Sequence, residues 1–171
     1  MLKNRLTIKH ITLLGLLTAL CTVARIAVLP LPNVQPVTDT LMLITLFLGV
    51  GDGLVLGILT MLVSNMFLGF GIWTLPQIAA YVVCILLVGG LSKITPLKKV
   101  TWLQLAVCVF LGFFYGFLVS LGMAVIGQAP AFWAYLISGL LFDCYHAIGN
   151  VVFYPLLAWL LPKLLARYFS E

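Results

Sequence analysis

The sequence predicts an all-α integral membrane protein with six transmembrane helices and both termini in the cytoplasm. Two observations carry that prediction. Hydrophobic residues make up 64% of the 171-residue chain and charged residues only 8%, where a soluble domain carries roughly 25% charged residues. The basic residues are also clustered. Lys3, Arg5 and Lys9 precede the first apolar stretch; Lys93, Lys98 and Lys99 lie between the fourth and fifth; Lys163 and Arg167 follow the sixth. Cytoplasmic loops hold an excess of Lys and Arg, so the termini and the Lys93–Lys99 connector are expected inside. The net charge of +5 then reflects topology. No basic helix face exists to track phosphates, which argues against a nucleic-acid partner. One membrane domain over residues 1–171 is expected.

The first segment runs from about Ile11 to Leu29 and stops at Pro30-Leu31-Pro32. It is too long for a signal h-region and lacks a small-residue cleavage pattern, so it reads as a mature helix. The second runs from near Thr40 to Val50, and Gly51-Asp52-Gly53 reads as a tight inner turn before a third segment from Leu54 to Leu68. Both look short against the ~20 residues a ~30 Å hydrocarbon core requires. Gly69 to Thr74 form an outer loop, and the fourth segment runs from Leu75 to Leu91, with Pro76 in its first turn, where a missing N–H costs little. The fifth runs from about Leu103 to Ile126, Gly127-Gln128-Ala129-Pro130 make the third outer loop, and the sixth runs from Phe132 to Leu161. Pro155 is expected to bend it.

Cys21, Cys84, Cys108 and Cys144 fall in four different apolar segments, with no C-x-x-C. They read as small packing residues rather than a disulfide or metal framework. Neither a metal nor a cofactor is expected.

Ionisable residues within a membrane default to a functional hypothesis. Arg25, Asp143 and His146 qualify. Arg25, near the outer end of the first segment, and Asp143, in the outer half of the sixth, could form an ion pair. Arg25 could instead snorkel to the headgroups, or either residue could touch a ligand. Asp143, His146 and Asn150 are spaced i, i+3, i+7, which puts them on one helix stripe, and Tyr154 extends it. Such a stripe faces the bundle interior, either as interhelical hydrogen-bonding glue or as the lining of a ligand cavity. A catalytic Asp–His dyad lacks a companion nucleophile.

The first outer loop, Pro32 to Asp39, holds Asn33, Gln35 and Thr38 between stiffening prolines. It suits a ligand clamp, and it also suits a turn followed by a helix capped at Thr38 or Asp39. In and around the second outer loop stand Asn65, Phe70, Trp73 and Gln77, with Tyr81 one turn further. Aromatic walls with a few amides describe a small-molecule site, and they equally describe an interfacial aromatic belt. Trp133 and Tyr135 read as belt residues. Gly15 and Ala19 make a small-xxx-small pair on the first segment, which allows close helix approach.

These features together resemble the substrate-binding S components of energy-coupling factor (ECF) vitamin transporters. The resemblance rests on the six-span layout with basic inner loops, the Gly15-xxx-Ala19 pair and the proline-rich first outer loop. More narrowly, Pro32-Asn33-Val34-Gln35-Pro36-Val37-Thr38 and the stretch from Gly69 to Gln77 look like the cobalamin (CbrT-like) subgroup. Pantothenate-type S components share the general pattern. The resemblance implies a non-enzymatic subunit that binds its vitamin from outside and topples in the bilayer. It also implies a transmembrane coupling (T) protein docked at Gly15 and Ala19, and two ATP-binding-cassette ATPases that hydrolyse ATP. The absence of a Walker A sequence fits that division of labour. The pocket would be formed by the outer loops and the outer halves of helices four to six, which adds Asp143, His146 and Asn150 to the loop residues named above. A proton-coupled secondary transporter using Asp143 and His146 is the alternative from another class. A third reading, an intramembrane enzyme, lacks a nucleophile or metal set.

Overall fold

The break between the second and third helices does not fall at Gly51-Asp52-Gly53. In the computed structural model, which describes residues 8–28, 30–31, 33–128 and 132–170, the chain reverses at Leu48-Gly49. Gly49 takes φ 121°, a conformation that costs a side-chain-bearing residue dearly. Asp52 sits inside the first turn of the following helix, where the positive end of the helix dipole favours a carboxylate. The expected inner turn is therefore helical, and the third helix gains a full turn.

Six helices result. They are α1 (Ile8–Ala27), α2 (Val37–Phe47), α3 (Val50–Leu68), α4 (Thr74–Ile94), α5 (Thr101–Val125) and α6 (Phe132–Ser170). Five of them, all but α2, are long and apolar enough to cross a membrane. At 19 residues, α3 is not the short segment the sequence suggested. At 11 residues, α2 is about 16 Å long, roughly half a bilayer core. It is enclosed by protein: every residue from Val37 to Leu46 is buried. Helix α6 extends well past Leu161, running unbroken through Pro155 and Pro162 for 39 residues. The expected basic residues Lys3 and Arg5, and also Pro32, Ala129 and Pro130, lie outside the described residues.

Burial is inverted relative to a water-soluble protein. Arg25, Asp39, Asp143, His146 and Asn150 are buried, while Leu16, Val23, Phe67, Leu75, Val152 and Trp159 are exposed. Such an exterior suits hydrocarbon, and the polar groups turn inward to find partners.

Two ends can be told apart. At one, His10 pairs with Asp52 at 2.8 Å, and the Tyr168 hydroxyl donates to the Lys9 carbonyl at 2.7 Å. The start of α1, the start of α3 and the end of α6 meet there. At the other end, Arg25 of α1 reaches Ser64 and Asn65 near the end of α3. The α5–α6 pairing is the most extensive. It is close because Gly112 has no side chain: a Cβ there would stand 2.9 Å from the Ala147 backbone.

Candidate functional site

The Arg25 end of the bundle holds a cavity of about 500 Å³. Arg25, Asn33, Gln35 and Gln77 form one part of its wall, and Tyr115, Gly116 and Ser120 of α5 another. Helix α6 closes it with Tyr135, Ser138, Phe142 and Asp143. The first outer loop is held against α6 at two points. Asn33, with φ 63°, donates through its amide to the Phe142 carbonyl at 3.2 Å. Val34 passes so close to Gly149 that a Cβ on that glycine would lie 3.2 Å from the Val34 Cα. Asn adopts such a left-handed conformation more readily than most residues.

Arg25 is the organising charge. Its Nε donates to Gln35 Oε1 at 2.8 Å. Its Nη1 donates to Ser64 Oγ, to Asn65 Oδ1 at 3.3 Å and toward the Met61 sulfur at 3.5 Å. Ser64 can accept because its own proton goes to the Thr60 carbonyl at 2.5 Å. Asn65 then donates from Nδ2 to Gln77 Oε1 at 2.8 Å and to Thr74 Oγ1 at 3.1 Å. This chain ties α1, the first outer loop, α3 and α4 into one unit. The expected Arg25–Asp143 ion pair is not formed: among the described residues Arg25 bonds only to Gln35, Met61, Ser64 and Asn65. Neutral oxygens of the loop and α3 surround the guanidinium, and Asp143 stands on α6 against Gly116, facing the same cavity.

A family model for the ECF transporter substrate-specific component matches residues 9–158, most of the chain. The chain belongs to the ECF transporter substrate-specific component family. Searches of curated proteins and of solved structures returned no match. Family membership makes the chain the substrate-binding subunit of an ECF importer and a multi-pass membrane protein. ECF S components bind a vitamin substrate and work with a T component and ATPases; they are not enzymes, and ATP hydrolysis lies with other subunits. This favours the ATP-driven reading over the proton-coupled transporter and the intramembrane enzyme.

For this S component, the residues singled out in the sequence divide into layers. Asn33, Gln35, Gln77 and Asp143 line the cavity. Asn65 stands one layer behind, gripping Gln77. Thr38, Tyr81 and His146 lie beneath it in the core: the Thr38 hydroxyl is 2.7 Å from His146 Nε2 and 3.2 Å from the Tyr81 hydroxyl. Tyr115 closes this layer, with its ring 4.4 Å from Tyr81 and 5.3 Å, edge to face, from His146. Asn150 is deeper still and donates to the Cys108 carbonyl at 2.7 Å. The Tyr154 hydroxyl donates to Gln104. Phe70 and Trp73 are exposed on the second outer loop and are not among the cavity-lining residues. Gly15 and Ala19 are exposed on α1, so none of the described helices uses the gap they leave.

The sequence reading missed Tyr115, Ser120 and Ser138, and placed Tyr135 in an aromatic belt rather than on the cavity. A signal was present. Tyr135, Ser138, Phe142 and Asp143 recur at helical spacing, continuing the Asp143 stripe outward. Tyr115 and Ser120 interrupt the otherwise apolar part of α5 beyond Gln104.

Proposed function

We propose that this chain captures a B vitamin from outside the cell in the Arg25–Asp143 cavity and delivers it within an ECF complex. One observation carries the proposal. The polar cavity, which holds Arg25, opens at the end of the bundle opposite Lys9, Lys93, Lys163 and Arg167. Arg25 is separated from His10 by 15 residues of α1, about 22 Å. Lys9, Lys93, Lys163 and Arg167 lie at or near the opposite ends of their helices. With positive residues inside, the cavity faces outward, both termini are cytoplasmic, and residues 1–171 act as one six-span domain in the cell membrane. The short α2 is counted as the sixth span although it is shorter than the hydrocarbon core, its ends being shielded by the helices around it. The exposed Gly15–Ala19 face is the surface we assign to the T component.

Cobalamin is the lead ligand, on the likeness of the two outer loops to the cobalamin subgroup. The cavity's size favours a second reading, a vitamin the size of pantothenate. About 500 Å³ is mid-range for small-molecule pockets, which span roughly 300–1,000 Å³, and a corrinoid would have to extend beyond it. Titration of the purified chain with cobalamin, pantothenate, riboflavin and folate tests both. Tight binding of cobalamin alone supports the lead, and tight binding of pantothenate alone supports the second. Binding of none of the four removes the vitamin reading.

A further inference from the structure

The hydrogen bonds around Arg25 dictate which atoms face the cavity. A guanidinium can only donate. Gln35 and Asn65 must therefore turn their amide oxygens toward it, as they do. The Asn65 amide nitrogen is left to donate, so Gln77 must present its oxygen there. Each amide oxygen on this side thereby already accepts a hydrogen bond. What remains toward the cavity is Arg25 Nη2, Gln35 Nε2 and Gln77 Nε2, three donor groups with no hydrogen bond among the described residues. The α6 side has the opposite polarity. Asn33 spends its amide nitrogen on the Phe142 carbonyl, leaving its oxygen to accept. Asp143 is 5% exposed, lines the cavity and has no hydrogen-bond or ion-pair partner among the described residues.

Arg25 is itself only 9% exposed and meets only neutral acceptors. A buried charge without a counter-charge is costly, and a charged group in a water-poor pocket binds an opposite charge strongly. We propose, given the reading of this cavity as the vitamin site, that its ligand is bipolar. An anionic group, carboxylate or phosphate, sits against Arg25, Gln35 and Gln77, while O–H or N–H donors at the other end are accepted by Asp143 and Asn33. Selectivity then comes from leaving donors unpaired when a neutral analogue enters.

The test compares ligand pairs on the full chain in detergent. Pantothenate is set against pantothenol, which replaces the carboxylate with an alcohol. Cobinamide phosphate is set against cobinamide, which differs from it only in lacking the phosphate. One anionic member is expected to bind about 100-fold or more tighter than its partner, the scale for a buried charged hydrogen bond losing one side. The responding pair identifies carboxylate or phosphate as the anion. Arg25→Gln is expected to abolish the difference by weakening the anionic member alone. Asp143→Ala is expected to weaken both members alike. Equal binding of both members by the unaltered chain, a comparison that needs no variant to fold, overturns the inference while leaving the vitamin reading in place. So does an Arg25→Gln chain that loses both members equally. Binding of neither pair overturns the inference; where riboflavin and folate also fail to bind, the vitamin reading falls with it.

Discussion

At the scale of single residues, burial separates two kinds of polar side chain that look alike in sequence. Asp143 and His146 are one helical turn apart, yet Asp143 faces the cavity and His146 is fully enclosed. The His146 ring is held by Thr38 at 2.7 Å and by the Tyr115 ring. Replacing it with Ala deletes a packed ring and leaves the Thr38 hydroxyl with one partner. The expected loss is about 1–3 kcal/mol of stability, read as a lower unfolding temperature in detergent. Ligand affinity, measured by titration, is expected to stay the same. A large loss of affinity with unchanged melting would make His146 a ligand contact after all.

At the scale of helices, the fold depends on how closely elements approach. α5 and α6 touch at Gly112 and Ala147, where a Cβ on Gly112 would be 2.9 Å from backbone atoms. Backbone cannot swing aside as a side-chain tip can. Gly112→Ala is therefore expected to cost about 1–3 kcal/mol, the usual penalty for overpacking, seen in thermal unfolding. Because α5 and α6 together form much of the cavity wall, the same change should also weaken ligand binding. Helix α2 makes the complementary point. An isolated apolar helix of its length could not span a bilayer, and its ends are acceptable only because other helices surround it.

At the scale of the whole molecule, the two ends have different jobs. A reporter active only in the cytoplasm, inserted between Lys93 and Lys99, is expected to be active. Activity there only of an extracytoplasmic reporter would invert the bundle and turn the cavity inward. Vesicles containing this chain alone are expected to show no ATP-dependent accumulation of the vitamin. Adding the T component and both ATPases should restore it, as membership of the ECF family requires.

How much of this was legible in the sequence differs by kind of information. Helix positions and the likeness to S components were legible, because long apolar runs and clustered lysines are local signals set by the bilayer. Helix ends at Gly49 and beyond Leu161 were not. Glycine in Gly51-Asp52-Gly53 is compatible with both turn and helix, and Pro155 and Pro162 are tolerated where the rest of α6 carries the helix through. Asp143 was identified as a site candidate by being ionisable where charge is expensive, and Asn33, Gln35 and Gln77 by standing in or beside the polar outer loops. The same two criteria selected His146 and Asn150 on the α6 stripe and Thr38 and Tyr81 by the loops, which the fold uses as internal partners. The sequence by itself determined that this chain lives in a membrane and which residues must turn away from lipid. Only the tertiary structure decided which of them face the cavity and which satisfy one another, and that Arg25 is held by amides and a hydroxyl rather than by Asp143. The reason is physical: the cost of exposing a polar group to hydrocarbon is a property of the residue, whereas its partner is a property of which helices meet.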